Sequence, residues 1–376
     1  MSESFDRRKF IKTIGAGTAI ISTGISPDNN PHIKDVKTSR KSTSIEATTN
    51  TFTKAMWVHI GASFPNGARD VPYVLDKWAE AGFNLLILRI RMSDGKPLFQ
   101  RTSHPVAEIA KDWDPVGLID KEARKRGMRV HPWCQVFRGA QSDFAYSNSR
   151  YLGINRDGNN VDHFLCAAQD AVQDWSYSFY QELMDNYETA GIHLDFIRYA
   201  GYTCYCDYCK QTFKRETGIE MAKMEKGSSE WARWISQRVN NINRFVRRIK
   251  EEAMKRDKEL SAAVYAGYPG CIESVGQDWM NWAHEKWVDF VLPMNYFGDE
   301  DRFNRNAEIH IGGVNHSVPV FEGVALNLPR KPWNIELSPE QLLERSQSVK
   351  GMGFQGICYF VSQHLTDKHL EKIKML

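Results

Sequence analysis

The sequence lacks a charge surplus, a long apolar run and a glycine-rich nucleotide loop, and each absence narrows what the chain does. Its 49 basic and 46 acidic residues leave a net charge of +3. That is far from the basic excess that grips nucleic acid, and no DNA- or RNA-binding motif accompanies it. The apolar and small residues from Thr13 to Ile25 are too few to cross a bilayer, and no other segment is long and apolar enough. No Gly-x-Gly-x-x-Gly follows the first apolar strand, which argues against an open dinucleotide-binding sheet. Cysteine is sparse, and its count of seven is odd, so disulfides alone cannot use every thiol.

A 42% hydrophobic fraction over 376 residues allows a large core. The chain carries 11 Trp and 14 Tyr, which supply flat faces for sugar rings as well as ordinary packing. Residues 1–25 read as a processing segment rather than as fold. Arg7-Arg8-Lys9-Phe10-Ile11-Lys12 followed by the short apolar stretch has the order of a twin-arginine export signal, which implies a periplasmic or secreted protein. Residues 26–52, rich in Pro, Asn, Ser, Thr and Lys, read as a disordered linker. Residues 53–376 remain as one catalytic domain.

In that domain, runs rich in Val, Ile and aromatics recur at 55–61, 84–91, 129–137, 191–198, 261–267, 288–296, 318–325 and 356–362. Helical patterns separate them. Val71 leads to a stop at Gly82, and Asp114-Pro115 opens a helix ending at Gly127. Residues 170–190 form another, and Trp231, Trp234, Ile235, Val239, Ile242, Phe245, Val246 and Ile249 form an apolar stripe at helical spacing. Further helices fit 276–286, 338–350 and 367–375, whereas the one between the sixth and seventh strands has little pattern. Eight strand–helix repeats predict an α/β fold, a single-domain (β/α)₈ TIM barrel with its site at the C-terminal face.

The fourth strand is the most informative. In Gly191-Ile192-His193-Leu194-Asp195-Phe196-Ile197-Arg198-Tyr199, alternation sends Ile192, Leu194 and Phe196 toward helices and His193 and Asp195 toward the barrel axis. This segment is similar to the fourth strand of the glycosyl-hydrolase-like family 10 proteins. Asp112-Trp113-Asp114-Pro115 with Gly127-Met128-Arg129-Val130-His131-Pro132-Trp133, and Val288 to Tyr296, resemble two further units of that family, although Ala190 replaces its usual acid before the glycine. The resemblance spans roughly residues 54–370 and implies a (β/α)₈ barrel that hydrolyses polysaccharides. Likeness to family-18 chitinases is more distant. Met294-x-Tyr296 and Asp195 fit their pattern, but Ile197 stands where they carry the acidic Glu, which argues against their substrate-assisted mechanism.

Glycoside hydrolysis needs two carboxyl groups flanking the scissile bond. Asp195 is expected as nucleophile or charge stabiliser. Glu322, at the end of the seventh strand in step with Val318 and Val320, is expected as general acid/base. Asp299, Glu273 and Asp278 are its competitors, and the structural alternative for Glu322 is a buried salt bridge to Arg89 or Arg91. Substrate contacts are expected from His59, Arg89, Arg91, Trp133, Gln135 and Arg198 at strand ends, joined by Tyr265, Asn295 and Tyr296, with Gln363 nearby. Trp133 and Tyr296 would stack on sugar, Arg198 would clamp a hydroxyl or a carboxylated sugar, and His193 would orient Asp195 from one layer deeper. The alternative function is a catalytically inactive glycan-binding barrel, and a third is a metal-stapled scaffold.

Cys204-x-Cys206-x-x-Cys209 places three thiols in six residues, a spacing suited to Zn²⁺. Cys166 is the first choice as fourth ligand, ahead of Cys271 and His163. The loop resembles the Cys-x-Cys-x-x-Cys…Phe loop of family-42 β-galactosidases, with Phe213 as the trailing aromatic, and that resemblance implies a structural zinc. Disulfides and free thiols remain open as alternatives, although Cys204–Cys206 is too tight to bridge easily.

Overall fold

Eight apolar runs become eight parallel strands, β1 (Thr53–Val58), β2 (Leu85–Arg89), β3 (Arg129–Gln135), β4 (Gly191–Asp195), β5 (Glu259–Tyr265), β6 (Phe290–Met294), β7 (Phe321–Ala325) and β8 (Gly356–Phe360). The computed structural model describes residues 51–92, 94–139, 141–329 and 333–376. The export segment and nearly all of the linker lie outside the described residues, and Phe52–Leu376 forms one unit. Within it the strands pair in the order β6-β5-β4-β3-β2-β1-β8-β7. The ring closes where Val291 of β6 bridges Val320, just ahead of β7, and the Val291 N–H donates to Pro319 O at 3.2 Å. This is the (β/α)₈ barrel the repeats predict.

A helix follows each strand: α1 (Val71–Glu80), α2 (Pro115–Lys125), α3 (Asp170–Asn186), α4 (Ser229–Met254), α5 (Trp279–His284), α6 (Glu300–Val314), α7 (Pro339–Gly351) and α8 (Asp367–Lys374). Local chemistry sets their starts. The Asp114 carboxylate accepts from Gly117 N–H ahead of Pro115, and Ser338 with Gln341 forms a capping box. In α4, Trp234, Ile235, Ile242, Phe245, Val246 and Ile249 bury one face. The weakly patterned helix, α6, hides Phe303, Ala307, His310 and Val314 at helical spacing inside a charged sequence. Several further elements were not predicted, among them a short hairpin after β7 that pairs Asn327–Leu328 with Ile335–Glu336. An antiparallel hairpin pairs Leu152–Ile154 with Asn160–Leu165 in the β3–α3 connection, and a helix spans Asp207–Thr217 in the β4–α4 connection. No helix among the described residues is long and apolar enough to cross a membrane.

Alternation along the strands stacks the interior in layers. At the floor, Arg129 Nη1 donates to the Glu259 carboxylate at 2.6 and 2.8 Å. Above it, Ser261 Oγ lies 2.9 Å from both His131 Nδ1 and His193 Nδ1. An apolar plug that includes Trp57, Leu292 and Phe321 follows. Arg89, Gln135, Asp195 and Tyr265 then end their strands at the C-terminal face.

Candidate active site

Asp195 is the last residue of β4, and Gln135, the last of β3, is its register partner. Sharing a face of the sheet, the two side chains emerge together above the plug. The chain then leaves the strand at Phe196, whose φ is +51°, and the Phe196 N–H donates to Asp195 Oδ1 at 2.7 Å. Around this acid lies a cavity of about 570 Å³, within the range of small-ligand sites. Its walls include His59, Arg89, Trp133, Gln135, Arg198, Tyr265 and Tyr296 from the sequence-based set. They also include Phe196, Met294, Phe297, Arg302, Leu328, Trp333 and Phe360, which the sequence reading did not assign to the site.

The electrostatics follow from burial. Asp195 is 7% exposed, and loss of hydration pushes its carboxyl up to about 6, against the pull of Arg198, the Phe196 N–H, Arg89 and Arg138. Burial and the Arg89 charge lower His59 to about 4, with a hydrogen bond from Gln363 opposing them, so the ring is neutral at physiological pH. Burial, reinforced by Arg138, also lowers Arg89. Trp133 Nε1, Gln135 Oε1 and Tyr296 Oη are buried and find no hydrogen-bond partner among the described residues. Such atoms cost about 1–3 kcal/mol each when unsatisfied. The three residues line the same cavity as Asp195. The acid itself is poised to exchange a proton near neutrality.

Four of the expected site residues lie elsewhere. Glu322 is fully buried and faces the helices rather than the axis. It accepts from Asn295 Nδ2 at 2.7 Å and sits 3.0 Å from His310 Nδ1 on α6. The inward positions of β7 are Phe321 and Ala325, so Val318 and Val320 indicated the wrong face. Neither arginine reaches Glu322. Its partner His310 instead hydrogen-bonds through Nε2 to the carbonyl of Ala266 at 2.8 Å, and Ala266 lines the cavity. Glu322 thus braces a wall. Asn295 belongs to the same bracket and is fully buried. Arg91 packs outside the barrel against Trp175 and Phe179 of α3, donating to Gln135 O and Arg138 O. His193 sits one layer below, edge-on to Trp57. The rival acids are engaged away from the walls. Asp299 caps α6, Glu273 accepts from Trp231 Nε1, and Asp278 accepts from Tyr268 Oη. Glu322→Ala is therefore expected to cost about 3–5 kcal/mol of stability in chemical denaturation, as removal of a buried paired carboxylate does. Turnover per folded molecule should stay within about tenfold, short of the 10²–10⁴-fold loss that deletion of an acid/base causes.

Beside the β4 end, the sulfurs of Cys166, Cys204, Cys206 and Cys209 all lie within 4.8 Å of one another. Cys166 is thus the fourth member, while Cys271 donates to Gln277 O instead. The Cys166–Cys209 and Cys166–Cys206 sulfur separations are 3.5 and 3.6 Å, and all seven cysteines are free thiols. Four thiolates about 2.3 Å from a tetrahedral zinc would stand about 3.8 Å apart, so the donor set fits. Cys204 Sγ also accepts from the N–H groups of Ile154 and Cys206. The cluster ties the hairpin to the Asp207–Thr217 helix, whose Phe213 is fully buried.

The fold and site define the class as a closed (β/α)₈ barrel with an acid-bearing, aromatic-lined cavity at its C-terminal face. The sequence profile of Glycosyl hydrolase-like 10 matches residues 73–310, and the chain belongs to that family. No curated protein matches the chain. Among solved structures it is similar to the PgaB (BpsB) glycoside hydrolase domain from Bordetella bronchiseptica, with TM-score 0.68 at 12% identity, covering 85% of this chain and 98% of that one. Alpha-L-fucosidase isoenzyme 2 from Paenibacillus thiaminolyticus gives 0.64 at 14% identity over 86% and 48%. A GH42 β-galactosidase from G. stearothermophilus gives 0.61 at 12% over 87% and 56%. At these identities the likeness concerns the fold.

Proposed function

We propose that the protein is an exported glycoside hydrolase acting on a polysaccharide or oligosaccharide, with Asp195 as its acid/base group. The supporting observation is that one cavity gathers Asp195 with the polar atoms of Gln135 and Arg198 and the rings of Trp133 and Tyr296. Sugars offer hydroxyl donors and acceptors for such atoms and flat apolar faces for the rings. In this reading Asp195 gives its proton to the leaving oxygen. Arg198 and Gln135 orient the sugar. Asp195 is the one carboxylate among the cavity-lining residues, so after protonating the leaving oxygen its carboxylate takes the proton from the water that attacks the anomeric carbon. A general acid works protonated, so turnover should fall as pH rises through about 6, the value burial gives Asp195. A pH–rate profile flat from 5 to 8 would remove Asp195 from that role.

The same lone carboxylate favours a second reading, a glycan-binding barrel without turnover. A panel of polysaccharides assayed for both binding and reducing-end release separates the two: saturable binding with no product supports the binding barrel. On either reading, the four thiolates hold Zn²⁺ as a structural metal, because a full set of protein ligands leaves no open position for substrate. The twin-arginine-type segment directs the protein to the periplasm or beyond.

A further inference from the structure

We propose that the sugar bound in the cavity is anionic, a pyranose bearing a carboxylate or sulfate whose charge is met by Arg198 and Arg89. This rests on the glycan-site reading above and names its substrate class. Elsewhere the chain supplies its part-buried guanidiniums with carboxylates. Arg126 pairs with Asp76 and Glu122, Arg129 with Glu259, and Arg256 with Asp185 and Glu252. The buried Arg91 and Arg238 instead donate to sets of backbone carbonyls.

Arg198 has neither kind of partner among the described residues. Its guanidinium is held among the rings of Phe164, Phe196 and Tyr265, with centroids 4.8–5.2 Å away, and its Nε is buried without an acceptor. Stacking occupies the guanidinium's faces and leaves its edge donors free, the geometry that receives a carboxylate or sulfate through two parallel hydrogen bonds. Arg89 donates only Nε, to Arg91 O at 3.2 Å, and lies over Trp133. Asp195 neutralises neither by contact, since its hydrogen bond comes from Phe196 N–H. Arg302, over Phe297, adds a third cation to the lining. Against one carboxyl this surplus makes the cavity electropositive, and a low-dielectric cleft focuses such a field on an incoming anion. A neutral sugar would leave these charges uncompensated.

The test is calorimetric titration with two matched pairs: oligogalacturonate against its carboxyl-reduced form, and a sulfated galactan oligosaccharide against its desulfated form. The expected result is at least tenfold tighter binding of the anionic member of one pair or both, shrinking as salt is raised. Which pair responds identifies carboxylate or sulfate. Arg198→Gln should erase the preference, and Arg198→Lys, which keeps charge without the fork, should retain part of it. Thermal melting of each variant excludes misfolding, and Arg302→Gln at the rim gives a milder third reading. Equal or tighter binding of the neutral members, no binding in either pair, or an undiminished preference in a folded Arg198→Gln overturns the inference. Anionic preference without product overturns the hydrolase reading alone. Turnover of neutral glycans without preference overturns this inference alone.

Discussion

Asp195→Asn is expected to lower glycoside turnover by at least about 10³-fold and, at the same time, to make the protein more stable at neutral pH. The two effects have one cause. Burial holds the Asp195 carboxyl at about 6, above its ordinary 3.8, so the fold disfavours the ionised form. Stability associated with the protonated acid is complete below pH 4 and is lost as pH rises through 6. Two pKa units correspond to roughly 3 kcal/mol at pH 7.5. A neutral amide of the same shape avoids that cost, so the variant should melt higher at pH 7.5 and alike at pH 3.5. An acid kept at the expense of stability is what a working site looks like. A variant that loses stability at neutral pH would show that Asp195 is a structural anchor instead.

Removal of the zinc we propose at Cys166, Cys204, Cys206 and Cys209 is the second large effect. The purified protein should contain one zinc per chain. Cys204→Ser, or a strong chelator under mild denaturant, should release it. The Asp207–Thr217 helix buries only Phe213, so a metal there would supply much of its ordering. Losing about 4 kcal/mol lowers the melting temperature by roughly 8 °C for a barrel of this size, with new proteolysis between residues 150 and 228. Protein that carries no metal and melts unchanged in chelator would leave four free thiols, three of them buried, as the description of the cluster.

The barrel was legible because all eight strands are apolar runs separated by capped or striped helices. Asp195 was legible for the same reason, since β4 alternates cleanly up to its last residue. Reading failed where alternation stops or faces are ambiguous. Phe196 leaves the strand in a left-handed turn, so its ring joins the cavity instead of the helix layer. Glu322 follows two small valines, yet β7 turns Phe321 inward against Phe290, with ring centroids 4.7 Å apart, and the glutamate goes to α6. Its true partner, His310, lay in the helix whose charged sequence hid its buried stripe. Arg91 continues the parity of Arg89, but β2 has already ended at Arg89, and Arg91 goes to the aromatic rings of α3. Cys166 was found from chemistry, because three thiols demand a fourth donor. Trp333 and Leu328 reach the cavity on a loop and a short hairpin after β7, where no periodicity could announce them.

A crystal structure of the Asp195→Asn variant with an oligosaccharide bound tests the central claim most directly. The account predicts a sugar stacked in the cavity between Trp133 and Tyr296, with a glycosidic oxygen within hydrogen-bond reach of the side chain at position 195. A saccharide bound elsewhere on the barrel, with that side chain facing only protein, would contradict it.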